Sequence, residues 1–171
     1  MTASGRRAAS EGRSGGVLPV ATNRRASYDF HLGDRFEAGL VLTGSEVKSL
    51  RSGRASLVGA WVRIDPAGEA WLMQCHIPEY ERGGYANHEP IRPRKLLLHR
   101  RELDRLGREV AARGSTLVPL RIVFRDGLAK LELAVGRGKD AGDKRRAVAE
   151  RDARREAESA VKWGRRGTGQ K

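Results

Sequence analysis

The sequence predicts a mainly β fold: an OB-like closed antiparallel barrel with short helices, followed by a basic C-terminal tail. Three observations predict it. Alternating apolar and polar segments recur between Ser27 and Val135. The turn signals Asp65-Pro66-Ala67-Gly68 and Asp126-Gly127 separate two pairs of them. Both chain ends are basic and poor in the large apolar residues a core requires. Five or six short strands in a stretch of this length suit a closed barrel, which removes exposed sheet edges and leaves its loops free to bind.

Taken in order, residues 1–20 hold almost no large apolar residue before Val17 and are expected to be a disordered basic extension. Residues 21–137 are expected to form the barrel body. Ser27–Leu42 has strand-type content around Tyr28, Phe30, Leu32, Phe36, Leu40 and Leu42. Gly44–Arg51 reads as a short polar helix with Val47 and Leu50 as its apolar pair. Leu57–Ile64 reads as a strand with Val58, Ala60, Val62 and Ile64 on one face, and Glu69–Ile77 as its partner with Trp71, Met73, Cys75 and Ile77 on one face. Arg101–Arg113 places Leu103, Leu106 and Val110 at helical spacing, with Gly114 as a stop. Thr116–Phe124 alternates through Val118, Leu120, Ile122 and Phe124. Asp126-Gly127 is a hairpin signal. Leu128–Val135 then points Ala129, Leu131, Leu133 and Val135 inward, and Lys130 and Glu132 outward.

The charge is distributed to match. Of 171 residues, 34 are Lys or Arg and 21 are Asp or Glu, a formal net charge of +13. The body between residues 27 and 135 holds 17 cations against 14 anions, whereas residues 136–171 hold 12 against 6. The excess favours a polyanionic partner, with RNA, DNA and an anionic membrane surface all open. Arg accounts for 27 of the 34 cations, which suits forked recognition of phosphate; a GC-rich coding bias gives the same ratio. No window approaches the about 20 apolar residues of a membrane span. A single cysteine, Cys75, excludes a disulfide scaffold or cysteine-based zinc site, and with no apolar leader the expected compartment is the cytoplasm.

Catalytic constellations are absent from the pattern. His31, His76, His88 and His99 show no metal-ligand spacing, so no metal and no cofactor is expected. Gly136–Gly142 resembles a phosphate loop only superficially, since Asp140 follows Lys139 where Ser or Thr is required. Cys75 falls on an apolar strand face and reads as an inert core thiol. The chain is expected not to be an enzyme.

Four segments, in order and at fitting spacing, carry a resemblance: Asn23-Arg24-Arg25-Ala26 with Phe36-Glu37-Ala38-Gly39-Leu40; Gly44-Ser45-Glu46-Val47-Lys48-Ser49-Leu50-Arg51; Arg94-Lys95-Leu96-Leu97-Leu98-His99; and Gly138-Lys139 with Asp143-Lys144-Arg145. Together they resemble the SsrA-binding protein (small protein B, SmpB) family. The resemblance implies an OB-like body that binds the tRNA-like domain of tmRNA in trans-translation. It implies a tail (residues 138–171) that is disordered when free and helical in the empty mRNA channel of a stalled ribosome. The nascent chain is then tagged for degradation. The implied partners are tmRNA, small-subunit rRNA in the decoding region and mRNA channel, and elongation factor Tu with alanyl-tmRNA. The protein is expected to act as a monomer. Asn23, Glu37, Leu97 and Lys130 fall at the family's RNA-contact positions, and Arg24, Arg25, Lys48, Arg51 and Lys95 extend that set. Gly138, Lys139, Asp143, Lys144 and Arg145 fall at the tail motif of the decoding site. Gly142 and Asp140 depart from the family, which often has an aromatic residue or His at the first position and a basic residue at the second.

Read on their own chemistry, the same residues allow more than one role. Glu37 can accept hydrogen bonds from base N–H groups or simply pair with an Arg. Lys130 can meet phosphate or face solvent. Leu97 can pack on a ribose or belong to the core. Glu46 can cap its helix and pair with Lys48 or Arg51, or contact RNA. Arg92, Arg94, Lys95, Arg100 and Arg101 form the densest basic run of the body. In the tail, Asp143 can cap a helix, and Glu150/Arg154, Arg154/Glu158 and Glu158/Lys162 are pairs at i, i+4. Its apolar stripe is mostly Ala, so the helix needs a partner to form, and Trp163 is its one large aromatic. Two other functions fit parts of the pattern: a general OB-fold nucleic-acid binder or ribosomal protein, and an RNA-modifying enzyme using Glu37 or Asp29 as general base.

Overall fold

The computed structural model describes residues 19–112 and 114–166, with side chains through 159. The expected extension before Pro19, Arg113, the side chain of Trp163 and residues 167–171 lie outside the described residues. Among the described residues, seven strands and four α-helices follow one another: β1 (Pro19–Thr22), α1 (Ala26–Asp29), β2 (Phe30–Leu40), α2 (Gly44–Arg51), β3 (Trp61–Ile64), β4 (Ala70–Met73), β5 (Arg94–Leu97), α3 (Arg100–Ala111), β6 (Ser115–Arg125), β7 (Leu128–Gly138) and α4 (Ala141–Arg166). All strand pairings are antiparallel. They run β6–β3–β4–β5–β2–β7 and return from β7 to β6, so the sheet closes on itself, with β1 added outside on β6. This is the OB-like β-barrel fold expected. Closure is uneven: β6 and β7 pair along their whole length, whereas β3 meets β6 only at Val62 and Leu117.

Closure explains both the core and the places where simple alternation fails. The main core gathers Leu50, Leu57, Leu72, Ile77, Leu106, Ile122, Leu131 and Leu133. A smaller cluster of Ala26, Val118, Leu120 and Ala134 fills the other side of β6 and β7, with Phe30 and Leu32 against it. Strand β6 serves both because its register shifts between Pro119 and Arg121. Val118 and Leu120 therefore face the small cluster and Ile122 the main core, instead of sharing one face as expected. A bulge adds one residue to one strand and turns every later side chain over. Strand β2 does the same between Leu32 and Arg35, putting Leu32 and Phe36 on different clusters.

Strand β4 corrects a second expectation. Ala70 and Leu72 are fully buried, and Trp71 and Met73 face outward. The strand stops at Gln74, whose φ of 56° lies in the left-handed region. That break resets the phase, so Cys75 and Ile77 beyond it do point inward, as expected. Val58, expected on the inner face of β3, is exposed because the strand starts only at Trp61. The hairpin at Asp126-Gly127 forms with φ of 50° and 76°, the two positive values that a tight I′ turn requires. Strand β7 keeps the expected inward set of Ala129, Leu131, Leu133 and Val135. Pro19 and Val20 belong to β1, so the body begins two residues before the expected boundary.

Candidate nucleic-acid interface

Register across three strands builds the first candidate surface. Gly39 on β2 pairs with Leu97 on β5 and with Lys130 on β7. Glu37 lies two residues along the same outward face. Together with Leu98, His99 and Glu102 at the start of α3, they line an open groove. Leu97 is 55% exposed, so it is not a core residue. The glycine opposite it matters sterically: a Cβ at 39 would lie 3.3 Å from the Leu97 Cβ. Its absence leaves a flat apolar floor between a carboxylate and an ammonium group. Glu37 is held by Arg125, with Nε 2.7 Å from Oε2. Glu132, next along β7, takes Arg121 in a fork at 2.6 and 2.9 Å. Gly39, His99 and Glu102 are not among the RNA-contact positions expected from sequence; the fold brings them into the groove, and Arg125 holds Glu37 at its edge.

The second surface is a corner where the chain's start meets its tail. The Asn23 side chain donates to the Pro119 carbonyl (3.0 Å), so this residue pins a turn, and Arg24 and Arg25 beside it are exposed. The Lys139 backbone N–H donates to the Asp29 carbonyl (2.9 Å), and its Nζ to the Ser27 carbonyl (2.8 Å). Asp143 Oδ2 lies 3.1 Å from His31 Nε2, and this hydrogen bond holds the Asp143 carboxyl below its ordinary pKa. Lys144 Nζ lies 3.4 Å from Asp29 Oδ1 and 5.9 Å from the centre of the Tyr28 ring. Asp143 is thus inside the first turn of α4, with Asp140 at the capping position, since the Lys144 N–H donates to the Asp140 carbonyl. Gly138 and Arg145 are exposed. From Val148 to Ser159 every described residue of α4 is exposed.

The remaining candidates separate from both surfaces. Lys48 stands over the Tyr80 ring at 5.5 Å, and Arg51 over Phe124 at 6.0 Å, on the outer side of α2. Lys95 is paired with Glu69 at 2.5 Å. The basic run from Arg92 also divides. Arg94 is fully buried; its guanidinium donates to Glu46 Oε1 (2.8 Å) and to the carbonyls of Cys75, Arg92 and Pro90. Arg92 forks onto the same carboxylate at 2.9 and 2.5 Å, and the Thr43 N–H donates to it at 2.8 Å. Burial alone would raise the Glu46 pKa; Arg92, Thr43 and Arg94 outweigh it and leave the carboxyl below its usual value. Glu46 therefore pairs with Arg92 and Arg94, not with Lys48 or Arg51. Ser49 donates to the Pro78 carbonyl at 2.7 Å. Ser45 is hydrogen-bonded to His88, whose other ring nitrogen meets the Ile77 carbonyl. The inward side of Gly44–Arg51 is a clamp on the loop between β4 and β5.

Burial pushes the Cys75 thiol up to about 11. Glu37 and Asp29 are both ion-paired. Among the described residues no group of three His, Cys, Asp or Glu is placed to hold a metal, and no helix is long and apolar enough to cross a membrane.

A closed barrel with a charged, apolar-floored groove and a projecting cationic helix defines an RNA-binding module. The family model described as SmpB protein matches residues 20–163. Relatives named SsrA-binding protein include that of Acidothermus cellulolyticus, 56% identical over 149 residues (87% of this chain, 93% of the relative). That of Thermobifida fusca is 55% identical over 147 residues (86% and 91%). A solved structure described as "tmRNA-SmpB: a journey to the center of the bacterial ribosome" contains a chain 46% identical, with a TM-score of 0.62, covering 77% of this chain and 94% of that one. The chain belongs to the SmpB family.

Proposed function

We propose that this chain is a non-catalytic cytoplasmic adaptor of trans-translation, which binds the tRNA-like domain of tmRNA and delivers it to stalled ribosomes. The observation that carries the reading is a family match that runs unbroken from barrel into tail, residues 20–163. In this reading the groove takes the RNA. Lys130 meets phosphate, the Gly39–Leu97 floor takes the face of a ribose or base, and Glu37, oriented by Arg125, accepts from base N–H groups. Arg24, Arg25, Lys48 and Arg51 add attraction from the flanks. Elongation factor Tu with alanyl-tmRNA accompanies delivery.

The tail has a separate task. Its exposed cations, among them Arg145, Arg151 and Arg154, suit a channel walled by rRNA phosphate, and beyond the turns seated at its root the helix gains its stability there rather than from the body. Occupying the empty mRNA channel reports that the message has ended, after which the nascent chain is tagged.

The test is to recover the full-length protein from its own cells and sequence the RNA bound to it. Strong enrichment of tmRNA over tRNA and rRNA fragments is expected. A length-dependent mixture with no preference for a tRNA-like fold would replace this reading with that of a general OB-fold binder.

A further inference from the structure

We propose that the five-residue stretch 27–31 is a socket that aims α4, and that Asp143 and Lys144 are positioning residues seated in it, not contacts to RNA. The proposal rests on the adaptor reading for its consequence, but its geometry stands apart from it. Among the described residues, every hydrogen bond and ion pair from α4 to the body is made by Asp143 or Lys144. Their partners are His31 and Asp29, with the Tyr28 ring beside Lys144. Just before the helix, Lys139 reaches the same stretch twice, through its backbone to Asp29 and through its ammonium to Ser27. A cation and an anion, one residue apart in the first turn, thus each meet an opposite or polar partner on one short segment.

The magnitude of the lever explains why this matters. A helix of 26 residues is about 39 Å long, so a swing of roughly 10° at its root moves the far end by about 7 Å. Among the described residues, no hydrogen bond or ion pair to the body lies farther along α4 to correct such an error. Direction must be set at the first turn, and the side chains there are turned toward the body, while Arg145 and Arg146 beside them face outward.

A charge swap separates positioning from RNA contact. Full-length protein carries spin labels at Val58→Cys and, close to the root of α4, at Ala149→Cys, both exposed sites; Cys75 is buried and stays unlabelled. Lys144→Asp alone and Asp29→Lys alone are expected to broaden the label-to-label distance distribution and to reduce tagging at least tenfold, with tmRNA binding retained. Lys144→Arg is expected to keep a narrow distribution and tagging. The double variant Asp29→Lys/Lys144→Asp restores the ion pair in reverse and is expected to recover both the narrow distribution and most of the tagging. Single variants with an unchanged distribution would overturn the socket. A double variant that recovers the distribution but not tagging would overturn the positioning role, because Lys144 would then be needed by something outside the chain. Failure of the unaltered protein to bind tmRNA would remove the adaptor reading instead, and the distance measurement needs no RNA.

Discussion

Glu46 shows how a residue's exposure decides between structure and recognition. In a strongly basic chain, a motif with Glu46, Lys48 and Arg51 invites an RNA role for all three. The structure gives Glu46 to Arg92 and Arg94, so removing it leaves two guanidinium groups short of their anion, one of them fully buried. Glu46→Ala is expected to cost about 3–5 kcal/mol, read by urea denaturation. The sign of the pH dependence follows from the depressed carboxyl. Its contribution is present above the ordinary glutamate value near 4.5 and is lost as pH falls through the lower folded value. Thermal melts from pH 7 to pH 3 should show a loss in the native protein that Glu46→Gln reduces. Leu97 is the opposite case: half-exposed, it contributes little to folding. Leu97→Ala should change stability by no more than about 0.5 kcal/mol while weakening tmRNA binding about tenfold, measured by melting and by filter binding.

Among elements, α4 and the long strands differ in what holds them. The tail helix has ion pairs of its own, such as Arg154 with Glu158 at 3.3 Å, each contributing a few tenths of a kcal/mol. It buries almost nothing beyond its first turn. A peptide covering 138–171 is therefore expected to read mostly as coil by circular dichroism in buffer, and strong helicity would contradict the proposed folding on the ribosome. Deleting the same residues should leave tmRNA binding largely intact and abolish tagging. Most elements were legible from sequence. Alternation and the Asp-Gly turn locate β6 and β7, and i, i+3, i+7 spacing locates α3. What alternation does not reveal is a change of phase. The left-handed residue at Gln74 carries no distinctive residue type, and Gly33 and Pro119 at the bulges in β2 and β6 are types that also mark loops and strand edges, yet these positions decide which side chains are inside. The groove suffers the same limit, since Gly39, Leu97 and Lys130 lie far apart in sequence and meet only through two registers.

For the whole molecule, several of the 34 cations are already committed to carboxylates within the fold, so the net +13 is carried by the others. Arg94 is internal, and Arg92, Lys95, Arg121 and Arg125 have carboxylate partners. The cations left for a polyanion lie on the flanks, at the corner and along α4. Affinity for the tRNA-like domain should fall linearly with the logarithm of salt concentration, and Lys130→Ala should lower that slope by about 1 while Leu97→Ala leaves it unchanged. Titrations at three salt concentrations distinguish the two.

The barrel's uneven closure has a mechanical consequence. A ring of staves fastened broadly at four joints, by two pairs between β2 and β5, and by one narrow clasp, Val62 against Leu117, parts first at the clasp. Amide protons of Trp61–Ile64 should therefore exchange with deuterated solvent well before those shared by β6 and β7, two of the three longest staves, so that breathing of the body begins at the clasp.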